Sequence, residues 1–335
     1  MTDPVHAITN IFLEKKVVII GDVVADQFLH GSISRVSREA PVFILRHEET
    51  ETRPGGAANA AANVASLGGH PLLIGVTGSD ENGALLRSSL SSNAVSCDYL
   101  IEDSGVTTTT KIRVLAGQDH SVKQQVIRID YENSTALSND SESRLIDNLR
   151  LAAKKADAIV VSDYGYGAVG PEMFDEALKL AAERNIPLVV DSRFRLSEFH
   201  GATSATPNQK EVEQILGKGF ADKDCIRLCE KLGFSSLIIT CGNQGMTIVE
   251  RDRDAFRIPA VGSTQPVDVT GAGDTVIAAY ALGLASGLAP REAAAVANHA
   301  GGIVVMKKGT ATVGRDELLD SIAKQSTSLR SDVAA

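Results

Sequence analysis

Short apolar runs alternate with longer amphipathic ones along this chain. Runs rich in Val, Ile and Leu begin at KVVIIGD (position 16), PLLIGVTG (71), DAIVVSDYG (157), IPLVVDSR (186) and SLIITCG (236). Each is brief and lacks polar alternation, as strands buried on both faces do. Between them, NAAANVASLG (59), SESRLIDNLRLAAKKA (141), PEMFDEALKLAAERN (171) and KDCIRLCEKLG (223) repeat apolar residues at helical spacing. Strand, helix, strand in repetition predicts an α/β fold: a central, mostly parallel sheet flanked by helices on both faces. Ligands of such sheets sit beyond the carboxyl ends of the strands, where the Gly- and Asp-bearing loops of this sequence fall.

Two stretches break the rhythm, QFLHGSISRVSREAPVFILRHEETETR (27–53) and TTTTKIRVLAGQDHSVKQQVIRIDYE (107–132). The second alternates through Lys111 to Leu115, turns at AGQDH and returns through Val126 to Ile129, which predicts an antiparallel hairpin. Together they predict a small β-sheet subdomain inserted into the α/β body. A sheet standing off a core has a face to hide, so it covers a site or meets a partner subunit. Residues 318–335 predict one weak helix and a polar, fraying end.

At 335 residues and 43% hydrophobic, the chain can bury a large core. Its net charge of -9, with Lys and Arg scattered, argues against a nucleic-acid groove and favours small-molecule partners. No basic leader with an apolar stretch and no long apolar span is present, which predicts a cytoplasmic protein with no membrane association. Cys97, Cys225, Cys229 and Cys241 form neither a disulfide framework nor a zinc set and read as reduced structural thiols.

The chemistry concentrates in a few motifs. PVDVTGAGDT (266–275) passes through Gly271, Ala272 and Gly273 into an apolar helical run. Such a turn offers unpaired amides and the positive end of a helix dipole to phosphate oxygens. Asp274 is then either a first-turn carboxylate, worth about 0.5–2 kcal/mol, or a general base beside an anion hole. Gly55 and Gly56 let backbone approach a ligand closely and Asn59 offers a donor and an acceptor, although a plain strand-to-helix turn has the same letters. Asp22 and Asp26, in IIGDVVADQF, stand where sugar hydroxyls or solvent could take them. TPNQKE places Asn208 three residues before Glu211, which by itself is the spacing of a plain capping box. LIITCGNQGMTIV is at least a hairpin through Gly242, Asn243 and Gly245. No P-loop, protein-kinase, dinucleotide-fold or G-x-S-x-G signature occurs.

Taken in order, ADQF, RPGGAANAAANVASLG, TPNQKE and DVTGAGDT resemble the PfkB/ribokinase family of sugar kinases, over a single domain from about 13 to 317. GDVVADQFLHGSISRVSREAPV, TTTTKIRVL, VIRIDYE and VVSDYGYGAV narrow the resemblance to the bacterial kinases of D-glycero-β-D-manno-heptose 7-phosphate, in a form without a fused adenylyltransferase. The resemblance implies a ribokinase-like fold and ATP-dependent phosphorylation of the anomeric O1, giving the 1,7-bisphosphate for ADP-heptose and the lipopolysaccharide inner core. It implies ATP and Mg²⁺ as cofactors, a homodimer joined through the lid, and a separate nucleotidyltransferase and phosphatase in the pathway.

Residue by residue, it makes Asp274 the base and Gly271, Ala272 and Gly273 the anion hole. Asp22, Asp26, Gly55, Gly56, Asn59 and Asp163 would hold the sugar. Asn208 and Glu211 would serve the Mg²⁺ and phosphate region, and Thr240, Gly242, Gly245 and Asn298 the nucleotide pocket. Asp268 falls where K⁺-using members contact that ion, and Val269 replaces a common Thr. A substrate phosphate needs cations, and Arg38, Lys111, Arg113, Arg128 and Arg193 are the candidates, each with a solvated charged face as its alternative. A kinase of another sugar, and a sugar- or nucleotide-binding regulator on the same fold, are the competing readings.

Overall fold

The computed structural model describes residues 2–118, 123–133, 135–251, 253–263 and 265–333. In chain order the strands are β1 (Lys16–Gly21), β2 (Val23–Val36), β3 (Phe43–Gly56), β4 (His70–Gly78), β5 (Leu100–Asp103), β6 (Thr110–Gly117), β7 (Gln124–Tyr131), β8 (Ala158–Asp163), β9 (Leu188–Ser192), β10 (Ser204–Ala205), β11 (Ser236–Thr240), β12 (Met246–Glu250) and β13 (Phe256–Ile258). The α-helices are α1 (Pro4–His6), α2 (Ala57–Ser66), α3 (Glu81–Ser92), α4 (Asn139–Ala153), α5 (Pro171–Arg184), α6 (Gln209–Leu216), α7 (Asp222–Leu232), α8 (Ala272–Ala285), α9 (Pro290–Val304) and α10 (Arg315–Val333).

Side-chain alternation explains the layering. Val17 and Ile19 of β1 enter one core while Val18 and Ile20 enter another. β8 does the same, with Ala158 and Val160 on one side and Ile159 and Val161 on the other. A strand apolar on both faces needs helices on both faces. α2, α8 and α9 supply one layer, and α4, α5 and α7 the other. The sheet runs β13-β12-β11-β10-β9-β8-β1-β4-β5, parallel from β11 to β5 and antiparallel at β12 and β13. α8 is buried from Asp274 to Gly283, and its small residues let it pack closely against the alanine-rich α2.

The inserted subdomain is a second sheet, β3-β2-β6-β7. β2 pairs antiparallel with β3 and parallel with β6, and β6 and β7 form the expected hairpin. Asp119 and His120 of its turn lie outside the described residues. β2 leaves the body at buried Val23 and ends exposed at Arg35 and Val36. All eight residues of β7 are exposed. Cys225 and Cys229 lie buried on α7 and all four cysteines are free, with burial pushing these two thiols up to about 11. No described helix is long and apolar enough to cross a membrane.

Candidate active site

The sheet delivers its functional groups at the carboxyl ends of its strands. α8 begins at Gly271, which holds the left-handed conformation (φ +75°). A Cβ there would collide with the Asn59 amide, so glycine is what allows this turn to approach α2. The Ala272 N–H turns back to the Val269 carbonyl at 3.2 Å. This amends the expected anion hole: among the described residues the free amides are those of Gly271, Gly273 and Asp274, and Ala272 is engaged.

Asp274 is 2% exposed. Asn59 Nδ2 donates to its Oδ2 at 2.8 Å, and Tyr164 Oη donates to its Oδ1 at 2.8 Å. Burial pushes its pKa up to about 7, against the pull of these two bonds, with Asp26 raising it further and Lys111 lowering it. The carboxyl is therefore poised near neutrality, where a proton acceptor works best. Asn59 is itself oriented by a relay in which Val313 N–H donates to Asn63 Oδ1 (3.2 Å) and Asn63 Nδ2 to Asn59 Oδ1 (3.2 Å).

Asp26 faces the same space but pairs with Arg113, at 2.5 Å between Oδ1 and Nη1, and both are under a tenth exposed. Gly55 lies against Asp26 Oδ2 with no room for a Cβ. Gly56 caps α2, whose first N–H is taken by the Asp22 carbonyl at 3.0 Å. Lys111 Nζ stands 5.4 Å from the ring centres of both Tyr164 and Tyr166, and burial lowers its pKa.

Two acids expected to touch substrate are spent on the protein itself. The Asp22 carboxylate accepts the N–H groups of Tyr164 (2.8 Å), Tyr166 (3.0 Å) and Ala168 (3.0 Å). Asp163, 1% exposed, is held by Arg195 Nη2 and Ser192 Oγ at 2.6 Å each. Both anchor the loop that carries Tyr164. Asp268 likewise accepts the amides of Thr270 and Gly309 at 2.9 Å each, and these outweigh burial to hold its pKa low. Asn298, 5% exposed, donates to the Pro259 carbonyl at 2.8 Å and fastens that segment to α9.

The candidate phosphate cations also sort themselves. Arg113 is committed to Asp26 and Arg128 to Asp130, and Arg38 is exposed at the far tip of the β2–β3 hairpin. Among the described residues Lys111 and Arg193 ion-pair with no acid, leaving them as the free cations of the site.

Opposite the α8 turn, Asn208 and Glu211 do form the capping box, Glu211 N–H to Asn208 Oδ1 at 3.0 Å and Asn208 N–H to Glu211 Oε2 at 2.8 Å. Burial nonetheless raises the Glu211 pKa. Asp191, at the end of β9, lies beside Gly273, and its pKa is well above the usual range through burial and the neighbouring Glu211, Asp274 and Asp163. Hard oxygen donors with uncompensated charge fit a divalent cation. No three His, Cys, Asp or Glu side chains form a metal cage among the described residues, and Mg²⁺ typically binds through one or two carboxylates, waters and a phosphate. Thr240 ends β11 beside Asn208, and Gly242 and Gly245 shape the turn into β12.

Tyr164, Asp191 and Asn63 were not singled out from sequence. Asp191 ends an apolar strand as Asp163 does, and Asn63 follows Asn59 by four positions in an alanine-rich helix; those were the available signals. A polar cleft of about 810 Å³ runs along β3 and α3 and meets the site at Asn59.

The sequence profile described as "pfkB family carbohydrate kinase" matches residues 14–317. The "Bifunctional protein HldE" of Koribacter versatilis is 37% identical over 97% of this chain and 67% of its own length. That of Vibrio parahaemolyticus is 38% identical over 91% and 63%. The chain thus spans about two thirds of the curated relatives it matches. Escherichia coli phosphofructokinase-2 in complex with potassium superposes with a TM-score of 0.75 at 21% identity, covering 93% of this chain and 99% of that one. Arabidopsis thaliana ribokinase complexed with ribose and ATP gives 0.69 at 20%, covering 92% and 98%. Both likenesses show the ribokinase-like fold.

Proposed function

The chain belongs to the pfkB family of carbohydrate kinases and is itself a sugar kinase, and from that premise we propose that it phosphorylates the anomeric O1 of D-glycero-β-D-manno-heptose 7-phosphate with ATP. The observation that carries the chemistry is a buried carboxylate, poised near pH 7, at a helix start with free amides. Asp274 takes the O1 proton as O1 attacks the γ-phosphorus. The O1–P bond forms, the bond from the γ-phosphorus to its bridging oxygen breaks, and ADP leaves with that electron pair. The amides of Gly271, Gly273 and Asp274 receive the charge spreading over the transferred oxygens.

Mg²⁺, held by Asp191 and Glu211, would supply charge neutralisation on the nucleotide phosphates. Lys111 and Arg193, which make no ion pair among the described residues and stand near the site acids, are suited to the 7-phosphate. The choice of sugar rests on the motif resemblance and on relatives that carry the HldE name. The product's chemistry then calls for a phosphatase at position 7 and a nucleotidyltransferase at position 1. A second copy of the chain would cover the exposed lid.

The test presents the purified chain with ATP and heptose 7-phosphate, unphosphorylated heptose, ribose or fructose 6-phosphate. ADP release is followed and the product phosphate located by ³¹P NMR. The heptose 7-phosphate is expected to give the highest kcat/KM and a new anomeric phosphate. Preference for ribose or fructose 6-phosphate, or phosphate on another hydroxyl, overturns the substrate reading.

A further inference from the structure

Both oxygens of the Asp274 carboxylate are held, Oδ2 by Asn59 and Oδ1 by Tyr164, and the two donors are anchored independently. The relay from Val313 through Asn63 fixes the Asn59 amide. Asp22 fixes Tyr164 by accepting its backbone N–H and two more from the same loop. The Tyr164 ring also lies against the Gly56 turn and carries the Lys111 ammonium on its face. Tyr166, on the same loop, shares that ammonium and donates its hydroxyl to Glu132 just past β7 at 3.0 Å. The loop from 164 to 168 thus links the base to the lid.

We propose that Tyr164 is a positioning residue for phosphoryl transfer: with Asn59 it clamps the Asp274 carboxylate from two sides, leaving its free lone pairs to the acceptor hydroxyl, and through Lys111 it ties that orientation to the lid. The proposal rests on Asp274 acting as the base. A carboxylate held by one donor can rotate about its last bond, and the charged groups facing this one give it reason to. Asp26 and Lys111 approach from the lid and Asp191 from β9, with Glu211 and Arg193 a layer beyond. Burial and the Asp274 charge hold the Tyr164 phenol well above its usual pKa, so it remains a donor throughout the working range.

Tyr164→Phe keeps the ring, its packing and its contact with Lys111 while deleting the hydroxyl. The full chain carrying Tyr164→Phe, Asp274→Asn or both is assayed with ATP and the preferred sugar of the panel above, with thermal unfolding in parallel. In the single variant, kcat should fall about 10- to 100-fold, the cost of one hydrogen bond to a charged group, while KM for sugar stays within about 3-fold. The acid limb of kcat/KM should move to higher pH, because a donor favouring the ionised form is gone. In the double variant the residual turnover should match that of Asp274→Asn alone, since a residue acting through the base adds nothing once the base is absent.

A raised KM at unchanged kcat would make Tyr164 a sugar contact and overturn the clamp. So would losses that multiply in the double variant, or an unaltered Tyr164→Phe enzyme beside an inactive Asp274→Asn one. Near-normal turnover in Asp274→Asn removes the base assignment itself, which separates that failure from failure of the clamp alone.

Discussion

At the scale of single residues, the site concentrates its cost on Asp274. Its folded pKa of about 7 stands above the ordinary carboxylate value of 3.8, so between those values the folded state binds the proton more tightly than the unfolded chain. Stability therefore falls as pH rises through that window, and the cost is complete above about 7. Asp274→Asn should reduce turnover by roughly 10²–10⁴-fold and at the same time be more stable than the parent at pH 8, by on the order of a few kcal/mol in unfolding free energy. One amide orientation satisfies both neighbours, with oxygen toward Asn59 and nitrogen toward the Tyr164 oxygen. The gain should fade as pH drops toward and below 3.8, where the parent's acid becomes neutral in both states. A variant less stable than the parent at pH 8 would refute the burial cost. In the parent, kcat/KM should decline about tenfold per unit below pH 7, as expected when one base must be ionised. The sequence made Asp274, Asn59 and the glycine turn legible because glycine before a helix has few uses. It did not show that Asp22 and Asp163 also hold the loop after β8, because ending a strand at the sheet's carboxyl edge fixes where an acid stands, and the direction its oxygens face depends on the loop folded over it. Tyr164 was invisible for the same reason.

Among the elements, α6 carries two functions on one side chain. Glu211 closes the capping box and also contributes, with Asp191, to a crowded acid pair. The two roles separate by substitution. Glu211→Gln keeps an acceptor for the Asn208 N–H, since Gln completes a capping box as Glu does, and should change stability by less than about 0.5 kcal/mol. The Mg²⁺ concentration giving half-maximal activity should nevertheless rise about tenfold or more, as lost ligands in metal sites commonly cost. Glu211→Ala should show the same Mg²⁺ effect and in addition lose about 1 kcal/mol from the cap. Thermal unfolding without nucleotide and a Mg²⁺ titration of ADP release measure the two effects separately. A Glu211→Gln enzyme with unaltered Mg²⁺ dependence would leave Glu211 a cap and nothing more. The strand and helix alternation was readable along the body because each strand is apolar on both faces. The lid's parallel β2–β6 pairing was not, because nothing local in either strand specifies a partner some eighty residues away.

For the whole molecule, the lid poses a problem that one chain does not solve. β7 is an edge strand with every residue exposed, and Val126, Ile127, Ile129 and Tyr131 show 41–54% of their surface. Val36, Val42 and Phe43 at the neighbouring hairpin tip are exposed to 55–60%. An uncovered apolar edge is a template for association, and a symmetric pair of lids is the closed arrangement that hides it without propagating. The chain should therefore sediment at twice its mass of 35.3 kDa. Ile127 and Ile129 share one face of β7, opposite Val114 and Ile112 of β6. Replacing both by Glu should give a monomer whose body unfolds at an unchanged temperature, because neither residue belongs to either core. Lys111 lies on the same sheet, so a lid without its cover should also hold the sugar less well. KM for the sugar should rise several-fold while kcat changes less, since Asp274, Asn59 and Tyr164 belong to α8, α2 and the loop after β8. A parent chain that is monomeric at micromolar concentration, or a monomeric variant with unaltered KM, would detach the lid's exposed face from both assembly and binding.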